Sequence, residues 1–100
     1  MIQQIKRLDR EVVVRLSGSI RVDEAADLRE KLLIEIEEGY NILKIDFSQV
    51  TFLDSAGLGV LVTIYKRVRH RGGALIIQRA SNSILELFKL TRLTQVFEFE

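Results

Sequence analysis

The chain contains 100 residues, of which 47% are hydrophobic and 29% are charged, and it contains neither cysteine nor proline. This length and composition predict one globular domain over residues 1–100 with a hydrophobic core of its own. The formal net charge of +1 excludes a general attraction to nucleic acid or to an anionic membrane, while the absence of cysteine and the single histidine exclude disulfides and the usual metal sites.

No targeting or membrane-spanning segment is predicted. The N-terminal residues MIQQIKRLDR lack the apolar centre of a signal peptide. The longest apolar run, GLGVLVTIY, is too short and too interrupted by glycine to cross a bilayer. We therefore expect a cytoplasmic protein without a membrane partner.

Periodicity, glycines and helix caps predict strands that alternate with helices. Gly39 follows an amphipathic helix whose first turn is acidic, and Ser83 with Glu86 has the spacing of a capping box. In chain order, the predicted elements are strands at 2–8 and 11–18, a helix at 22–39, a strand at 41–47, a helix from about 55 to the glycines at 72–73, a strand at 74–78, a helix at 84–90 and an edge strand at 95–99.

The order of these elements predicts an α/β fold. Strands joined by helices run parallel, so we expect a small mixed sheet with parallel central strands, an antiparallel N-terminal hairpin strand and crossover helices mainly on one face. Apolar and mixed positions alternate along the strands, which places one face of the sheet in the core. The predicted core residues of the strands are Val12, Val14, Leu16, Leu43, Ile45, Leu75 and Ile77.

The segment FLDSAGLGVL, residues 52–61, joins the end of a buried strand to an apolar helix. Ser55 is predicted at the N-cap or in the first turn of that helix, where free N–H groups and the helix dipole favour a negative group. One interpretation is structural only, with Ser55 as the cap and Asp54 as a favourable charge. Gly57 and Gly59 each cost a helix about 1 kcal/mol relative to alanine, which favours a second interpretation in which another group, such as a phosphate, approaches this turn.

The outer side of this helix also has two interpretations. Val60 and Ile64 lie off the apolar stripe that contains Leu61 and Tyr65. They either pack against neighbouring helices or form an exposed docking surface beside Ser55. An apolar surface beside a residue that gains charge would act as a switch, because desolvating an unpaired phosphate is unfavourable.

No catalytic, metal-binding or cofactor-binding residues are predicted. Nucleophilic catalysis by Ser55 would need a base, and His70 lies about four helical turns away. Asp46 and Asp54 lack the additional carboxylates of a magnesium site. The basic cluster KRVRHR, residues 66–71, suits a helix C-terminus and contains no aromatic residue for stacking on bases. We expect neither enzymatic activity nor direct nucleic-acid binding.

The residues Asp54-Ser55-Ala56-Gly57-Leu58-Gly59, a following helix that ends in RGG, and the later segments SNSILELFKL and TQVFEF resemble the STAS domain, and within it the small bacterial anti-sigma factor antagonists. The resemblance covers the chain from end to end. It implies that Ser55 is phosphorylated by a partner that is both anti-sigma factor and serine kinase, and that a serine phosphatase removes the phosphate. It also implies that the unmodified protein binds the anti-sigma factor and frees a sigma factor.

The sequence differs from this family after the second strand. Many antagonists have an acidic Gly-Glu-Leu-Asp-like pattern in a loop there, whereas this chain has Gly18-Ser19-Ile20-Arg21. Arg21 leaves the identity of the kinase open, and it could offer a cation to a phosphorylated Ser55. The residues expected to bind the partner are Ser19, Arg21, Asp23, Asp54, Ser55, Ala56, Gly57, Gly59, Val60 and Ile64.

Two other functions fit the same sequence. One is a STAS-like subunit or scaffold that is not phosphorylated, in a transporter or lipid-trafficking complex. The other is a nucleotide-binding or phosphotransfer enzyme. Phosphate incorporation in the presence of ATP and an anti-sigma kinase distinguishes the first from a regulatory switch, and turnover by the isolated chain would favour the second.

Overall fold

A computed structural model describes residues 1–100 as one five-stranded sheet with three α-helices. The elements are β1 (Ile2–Leu8), β2 (Glu11–Ile20), α1 (Val22–Glu37), β3 (Ile42–Leu53), α2 (Ser55–His70), β4 (Ala74–Gln78), α3 (Asn82–Leu90), a 3-10 turn (Leu93–Gln95) and β5 (Glu98–Phe99). The strand order is β1-β2-β3-β4-β5, with β1 antiparallel to β2 and the other pairs parallel. The predicted α/β fold is therefore confirmed.

The helices cover one face of the sheet. The inward stripe of α1, for example Leu28 and Leu32, is buried together with alternate residues of the central strands, as the sequence predicts. A bidentate ion pair joins β1 to this layer: the Arg7 guanidinium donates two hydrogen bonds, of 2.6 and 2.8 Å, to the buried carboxylate of Glu35. All seven predicted core residues of the strands are buried: Val12, Val14, Leu16, Leu43, Ile45, Leu75 and Ile77.

Aromatic rings join α3 and the end of the chain to this core. The ring of Phe88 lies edge-on to those of Phe47 and Phe97, with centroids 5.9 Å apart in both pairs. Tyr65 of α2 makes a similar contact with Phe97 at 5.7 Å, so this tyrosine packs against the end of the chain. These contacts keep α3 on the same face as α2.

Two boundaries near the C-terminus were wrong. α3 begins at Asn82 and not at residue 84, because Ser81 is its N-cap and accepts a hydrogen bond from the Ile84 N–H at 3.3 Å. Ser83 lies inside the first turn and is not the cap. The predicted strand at 95–99 is reduced to Glu98–Phe99, because the chain before it forms the 3-10 turn.

The central strands β2 and β3 are longer than predicted. Their parallel pairing continues to Ile20 and Leu53, whereas the sequence placed the ends at residues 18 and 47. Glycine and serine in this part of β2 masked its strand character, since both residues are typical of turns. The segment from residue 19 to Arg21 is therefore not the predicted loop: it completes β2 and leads directly into α1.

β3 carries two extra residues relative to β2. Register shifts mark them, one just after Asp46 and one just before Phe52. Each bulge displaces the inward–outward alternation by one residue. The first bulge turns Val50 into the core, and the second restores the original alternation, so that Leu53 is buried and Phe52 is 41% exposed.

Asp46 is a buried carboxylate at the first bulge, with only 2% of the residue exposed. It accepts a hydrogen bond from the Ser48 N–H at 2.9 Å and lies 3.4 and 3.6 Å from guanidinium nitrogens of Arg15 and Arg79. Burial alone would raise the pKa of Asp46, but the hydrogen bonds from Ser48 and the charges of Arg79 and Arg15 outweigh it and hold the pKa below its ordinary value.

The two edges of the sheet are irregular or short. β1 has one extra residue at Gln3, and Lys6 near its middle is exposed. At the other edge, β5 contains only two residues, Glu98 and Phe99.

Replacing Asp46 by asparagine is expected to lower the free energy of unfolding by about 1 to 2 kcal/mol near neutral pH, because both arginines lose their charged partner. Folding lowers the pKa of Asp46, so its carboxylate stabilises the fold above the unfolded-state pKa of about 3.9, and this stabilisation is lost as pH falls through the lower folded-state pKa. The difference between wild type and Asp46→Asn should therefore be constant above about pH 5 and shrink toward pH 3. Urea unfolding followed by circular dichroism at several pH values measures this difference.

Asp27→Asn is the matched control. Asp27 is exposed on α1 and makes only a surface ion pair with Lys31 at 3.0 Å, so its replacement should change stability by about 0.5 kcal/mol or less. A destabilisation by Asp46→Asn that grows toward pH 3 would contradict the assigned pKa direction.

Candidate functional site

The first turns of α1 and α2 begin side by side where β2 and β3 end. Ile20 and Leu53 are the last paired residues of the two strands, and the Asp54 N–H donates to the Ile20 carbonyl at 3.2 Å. The next residue of each chain segment is a helix N-cap: Arg21 for α1 and Asp54 for α2. The structure thus brings together the two segments that the sequence assigned to the partner surface, residues 19–23 and 54–59.

Asp54 is the N-cap of α2, and the predicted capping role of Ser55 is wrong. The Asp54 carboxylate accepts a hydrogen bond from the Gly57 N–H at 3.0 Å, and its carbonyl accepts from the Leu58 N–H at 3.0 Å. Ser55 is instead the first residue of the helix, is exposed, and its hydroxyl makes no hydrogen bond within the protein. The Ser55 hydroxyl can therefore react without losing an internal hydrogen bond, because Asp54 supplies the cap of α2.

Arg21 begins α1 without capping it through its side chain. The Arg21 carbonyl accepts from the Ala25 N–H at 2.8 Å, and the Arg21 N–H donates to the Glu24 carboxylate at 3.0 Å. Its guanidinium makes no ion pair and lies 4.4 Å from the centre of the Phe52 ring. This is a cation–π contact at the protein surface.

The two glycines of α2 have different environments. A Cβ at Gly57 would lie 2.3 Å from Leu53 Cδ1 and 3.3 Å from the Ile20 carbonyl oxygen, so the group that approaches this turn closely is the end of the sheet itself. A Cβ at Gly59 would meet nothing within 4 Å. Packing therefore explains Gly57 and leaves Gly59 without a structural reason.

Two predicted partner-binding residues lie in the core. Val60 is 7% exposed and Ile64 is fully buried, so the packing interpretation is correct and the exposed docking interpretation of these two side chains is wrong. Their burial follows from the position of α2 between α1 and the end of the chain, which widens its apolar face. The exposed side of α2 instead carries Ser55, Gly59 and Thr63.

Two exposed apolar residues beside this site were not predicted from the sequence. Val22, in the first turn of α1, is 67% exposed, and Phe52 is 41% exposed. The sequence placed Val22 at the first position of the predicted helix 22–39 and assigned no role to its side chain. The sequence placed Phe52 at the end of a buried strand, whereas its side chain points to the opposite side of β3 from the buried Leu53.

Other chemistry is not assembled at this site. His70 is the last residue of α2, at the opposite end from Ser55, and no group of three or more metal-ligating side chains is present. In the basic cluster, Arg67 and Arg71 both pair with Glu37 of α1, at 3.4 and 3.1 Å. The surface depressions lie on the outer side of α1 and beside β1, so the surface around Ser55 is not a pocket. None of the three helices combines the length and apolarity that crossing a bilayer requires.

The chain is similar in sequence to a known domain family and to curated proteins. The sequence profile of the STAS domain matches residues 2–100. The anti-sigma-B factor antagonist of Bacillus subtilis (strain 168) is 35% identical over 94 residues, which cover 94% of this chain and 85% of that protein.

Solved structures share the fold. TM1081 of Thermotoga maritima, a candidate anti-sigma factor antagonist, has a TM-score of 0.91 and 24% identity over 96% of this chain and 83% of that one. The Bacillus cell fate determinant SpoIIAA in its phosphorylated form has a TM-score of 0.77 and 20% identity over 97% of this chain and 89% of that one.

Replacing Asp54 and Ser55 by alanine, one at a time, should separate their roles at the start of α2. Asp54→Ala is expected to lower the free energy of unfolding by about 1 kcal/mol, because the Gly57 N–H loses its acceptor. Ser55→Ala should change it by less than about 0.5 kcal/mol, because the serine hydroxyl satisfies no backbone group. Urea unfolding of both variants measures the difference, and an equal loss in the two would contradict Asp54 as the cap.

The two glycines should respond to alanine in opposite directions. Gly57→Ala is expected to destabilise the protein by about 1 to 3 kcal/mol, because the new methyl group overlaps Leu53 and crowds Ile20. Gly59→Ala should stabilise it by about 0.5 to 1 kcal/mol, since the methyl group meets open space and alanine favours a helix. Thermal unfolding of both variants tests this, and stabilisation by Gly57→Ala would contradict the close approach.

Proposed function

Because the chain belongs to the STAS domain family, and within it to the anti-sigma factor antagonists, we propose that its unphosphorylated form binds an anti-sigma factor and thereby releases a sigma factor. Like its relatives, the protein is a regulatory protein and not an enzyme. The proposal places this exchange in the cytoplasm, where sigma factors and ATP are present. Binding is reversed by phosphorylation of Ser55 and restored by a serine phosphatase.

The observation that carries this proposal is the free, exposed hydroxyl of Ser55 at the first position of a capped helix. A kinase can reach this hydroxyl without opening the fold. Removing the proton from the hydroxyl breaks no internal hydrogen bond. The structurally similar SpoIIAA has been solved in a phosphorylated form, which supports the same chemistry here.

The surface around Ser55 suits a protein partner more than a small molecule. It is not a pocket, and it combines the exposed apolar residues Val22 and Phe52 with the charged Arg21. Gly59 offers a position on α2 where a partner's backbone could approach closely. Exposed apolar groups surrounded by polar ones are typical of protein interfaces.

The switch would be a simple phosphoryl transfer. The Ser55 oxygen forms a bond to the γ-phosphorus of ATP, the bond from that phosphorus to the β-bridging oxygen breaks, and ADP leaves. The hydroxyl proton passes to a base of the kinase. The added group carries about −1.5 to −2 charges at neutral pH.

The modified helix should remain folded. The phosphate sits at the positive end of the helix dipole, near the N–H groups of Ser55 and Ala56 that Asp54 does not occupy. Binding should fall because an interface cannot bury this charge without a paired cation. The phosphatase reaction restores the serine and the binding surface.

A kinase assay tests this function. Incubating the protein with ATP and a candidate anti-sigma kinase should add the mass of one phosphoryl group, and Ser55→Ala should abolish this addition while retaining the fold. Isothermal titration should show that unmodified protein and Ser55→Ala both bind the anti-sigma factor, and that the phosphorylated protein binds at least 100-fold more weakly, a difference of about 2.7 kcal/mol.

Ser83→Ala is the matched control, because Ser83 is also exposed near a helix start and should leave phosphorylation unchanged. Phosphate incorporation at Ser17, Ser19 or Ser81 in the Ser55→Ala variant would overturn the assignment. Tight binding to the anti-sigma factor without any phosphorylation would favour a scaffold instead of a switch.

A further inference from the structure

Arg21 is an unusual residue for the start of a helix. A cation at the N-terminal end opposes the helix dipole, and arginine has no acceptor with which to cap the first N–H groups. No carboxylate pairs with its guanidinium, which lies on the exposed ring of Phe52 instead. Arg21 thus costs the helix stability and has no ion-pair partner within the protein. A residue of this kind indicates an interaction that the unmodified fold does not contain.

The chain geometry places Arg21 next to Ser55. The hydrogen bond between the Asp54 N–H and the Ile20 carbonyl joins the two residues that directly precede Ser55 and Arg21. Neighbouring strands lie about 4.8 Å apart, and an extended arginine side chain spans more than this distance. A phosphate on Ser55 would therefore lie within reach of the Arg21 guanidinium.

We propose that phosphorylation of Ser55 draws Arg21 off the Phe52 ring and into an ion pair with the phosphate, so that one modification changes two parts of the docking surface. This proposal rests on the proposed phosphorylation of Ser55. It adds a regulatory role for a residue at which the chain differs from the acidic pattern of its family.

The competing interactions favour this movement. An exposed cation–π contact is among the weaker interactions of arginine, whereas a guanidinium–phosphate pair combines opposite charges with two directed hydrogen bonds. Three carboxylates lie at the same two helix starts: Asp54 at the start of α2, and Asp23 and Glu24 in the first turn of α1. They repel the phosphate, which makes Arg21 the cation available at these two helix starts to offset them.

The movement would alter what the partner meets. In the unmodified protein, the surface offers Arg21 supported by Phe52. After phosphorylation, the phosphate pairs with the Arg21 guanidinium, and the face of the Phe52 ring becomes exposed to solvent. A partner that uses Arg21 would then lose this contact in addition to meeting the phosphate.

Nuclear magnetic resonance of protein carrying phosphoserine at residue 55, introduced during translation, tests the pairing directly. In the unmodified protein, the Arg21 side-chain protons should show upfield ring-current shifts from Phe52 and contacts to its ring. Both should be lost in the phosphorylated protein. A phosphorus titration should also give a second phosphate pKa that is higher by about 0.5 to 1 unit in Arg21→Gln than in the phosphorylated protein with Arg21.

Arg29→Gln is the matched control, because Arg29 is another exposed arginine of α1 that makes no ion pair, and it should leave the phosphate pKa unchanged. Arg21→Lys should give an intermediate pKa, since lysine retains the charge without the planar fork. Retained Phe52 contacts together with equal pKa values in the Arg21 and Arg21→Gln proteins would overturn the proposal.

This result does not depend on a kinase or on a partner, because the phosphoserine is placed by translation. If the kinase assay fails and the Arg21 contact is observed, the proposed function is wrong and the pairing stands. If the kinase assay succeeds and the Phe52 contacts persist, the switch stands without a role for Arg21.

Discussion

The parallel ladder between β2 and β3 continues beyond Asp46, the last residue of β3 that β4 pairs, and the position of both helix starts depends on this continuation. The ladder ends with the hydrogen bond from the Asp54 N–H to the Ile20 carbonyl, so the first turns of α1 and α2 are fixed by the same two strands. Gly57 completes the arrangement, because a Cβ at this position would overlap Leu53 and crowd Ile20 where α2 begins beside the strand ends. The surface around Ser55 is thus positioned by both strands although it lies at the end of a narrow extension of the sheet.

The division of roles between Asp54 and Ser55 explains how a helix start can be both stable and modifiable. A serine that capped the helix through its hydroxyl would have to exchange that hydrogen bond for new ones when the hydroxyl became a phosphate ester. Here the neighbouring aspartate supplies the cap, and the serine hydroxyl carries no structural hydrogen bond. Chemistry at the hydroxyl is therefore separated from the folding energy of the helix.

Much of the fold could be predicted from the sequence because its signals are local. Alternation of residues such as Val12 and Leu43, and the stripe of α1, identified the strands, the helices and the buried face. The bulges of β3 were not predictable, because they depend on which residue of β2 lies opposite, and the first of them turns Val50 into the core. The burial of Val60 and Ile64 likewise follows from neighbours distant in sequence. Ser55 lies at the start of α2, as the sequence predicted, whereas the cap of that helix and the apolar residues around it required the tertiary structure.

The irregular edges of the sheet have a consequence for how such a protein is handled in a cell. Crowded copies of a five-stranded sheet are at risk of joining strand to strand into polymers through exposed edges. The extra residue at Gln3 and the charge of Lys6 interrupt one edge, and the two residues of β5 offer little backbone at the other. Copies can therefore accumulate without the sheet itself becoming a template for aggregation.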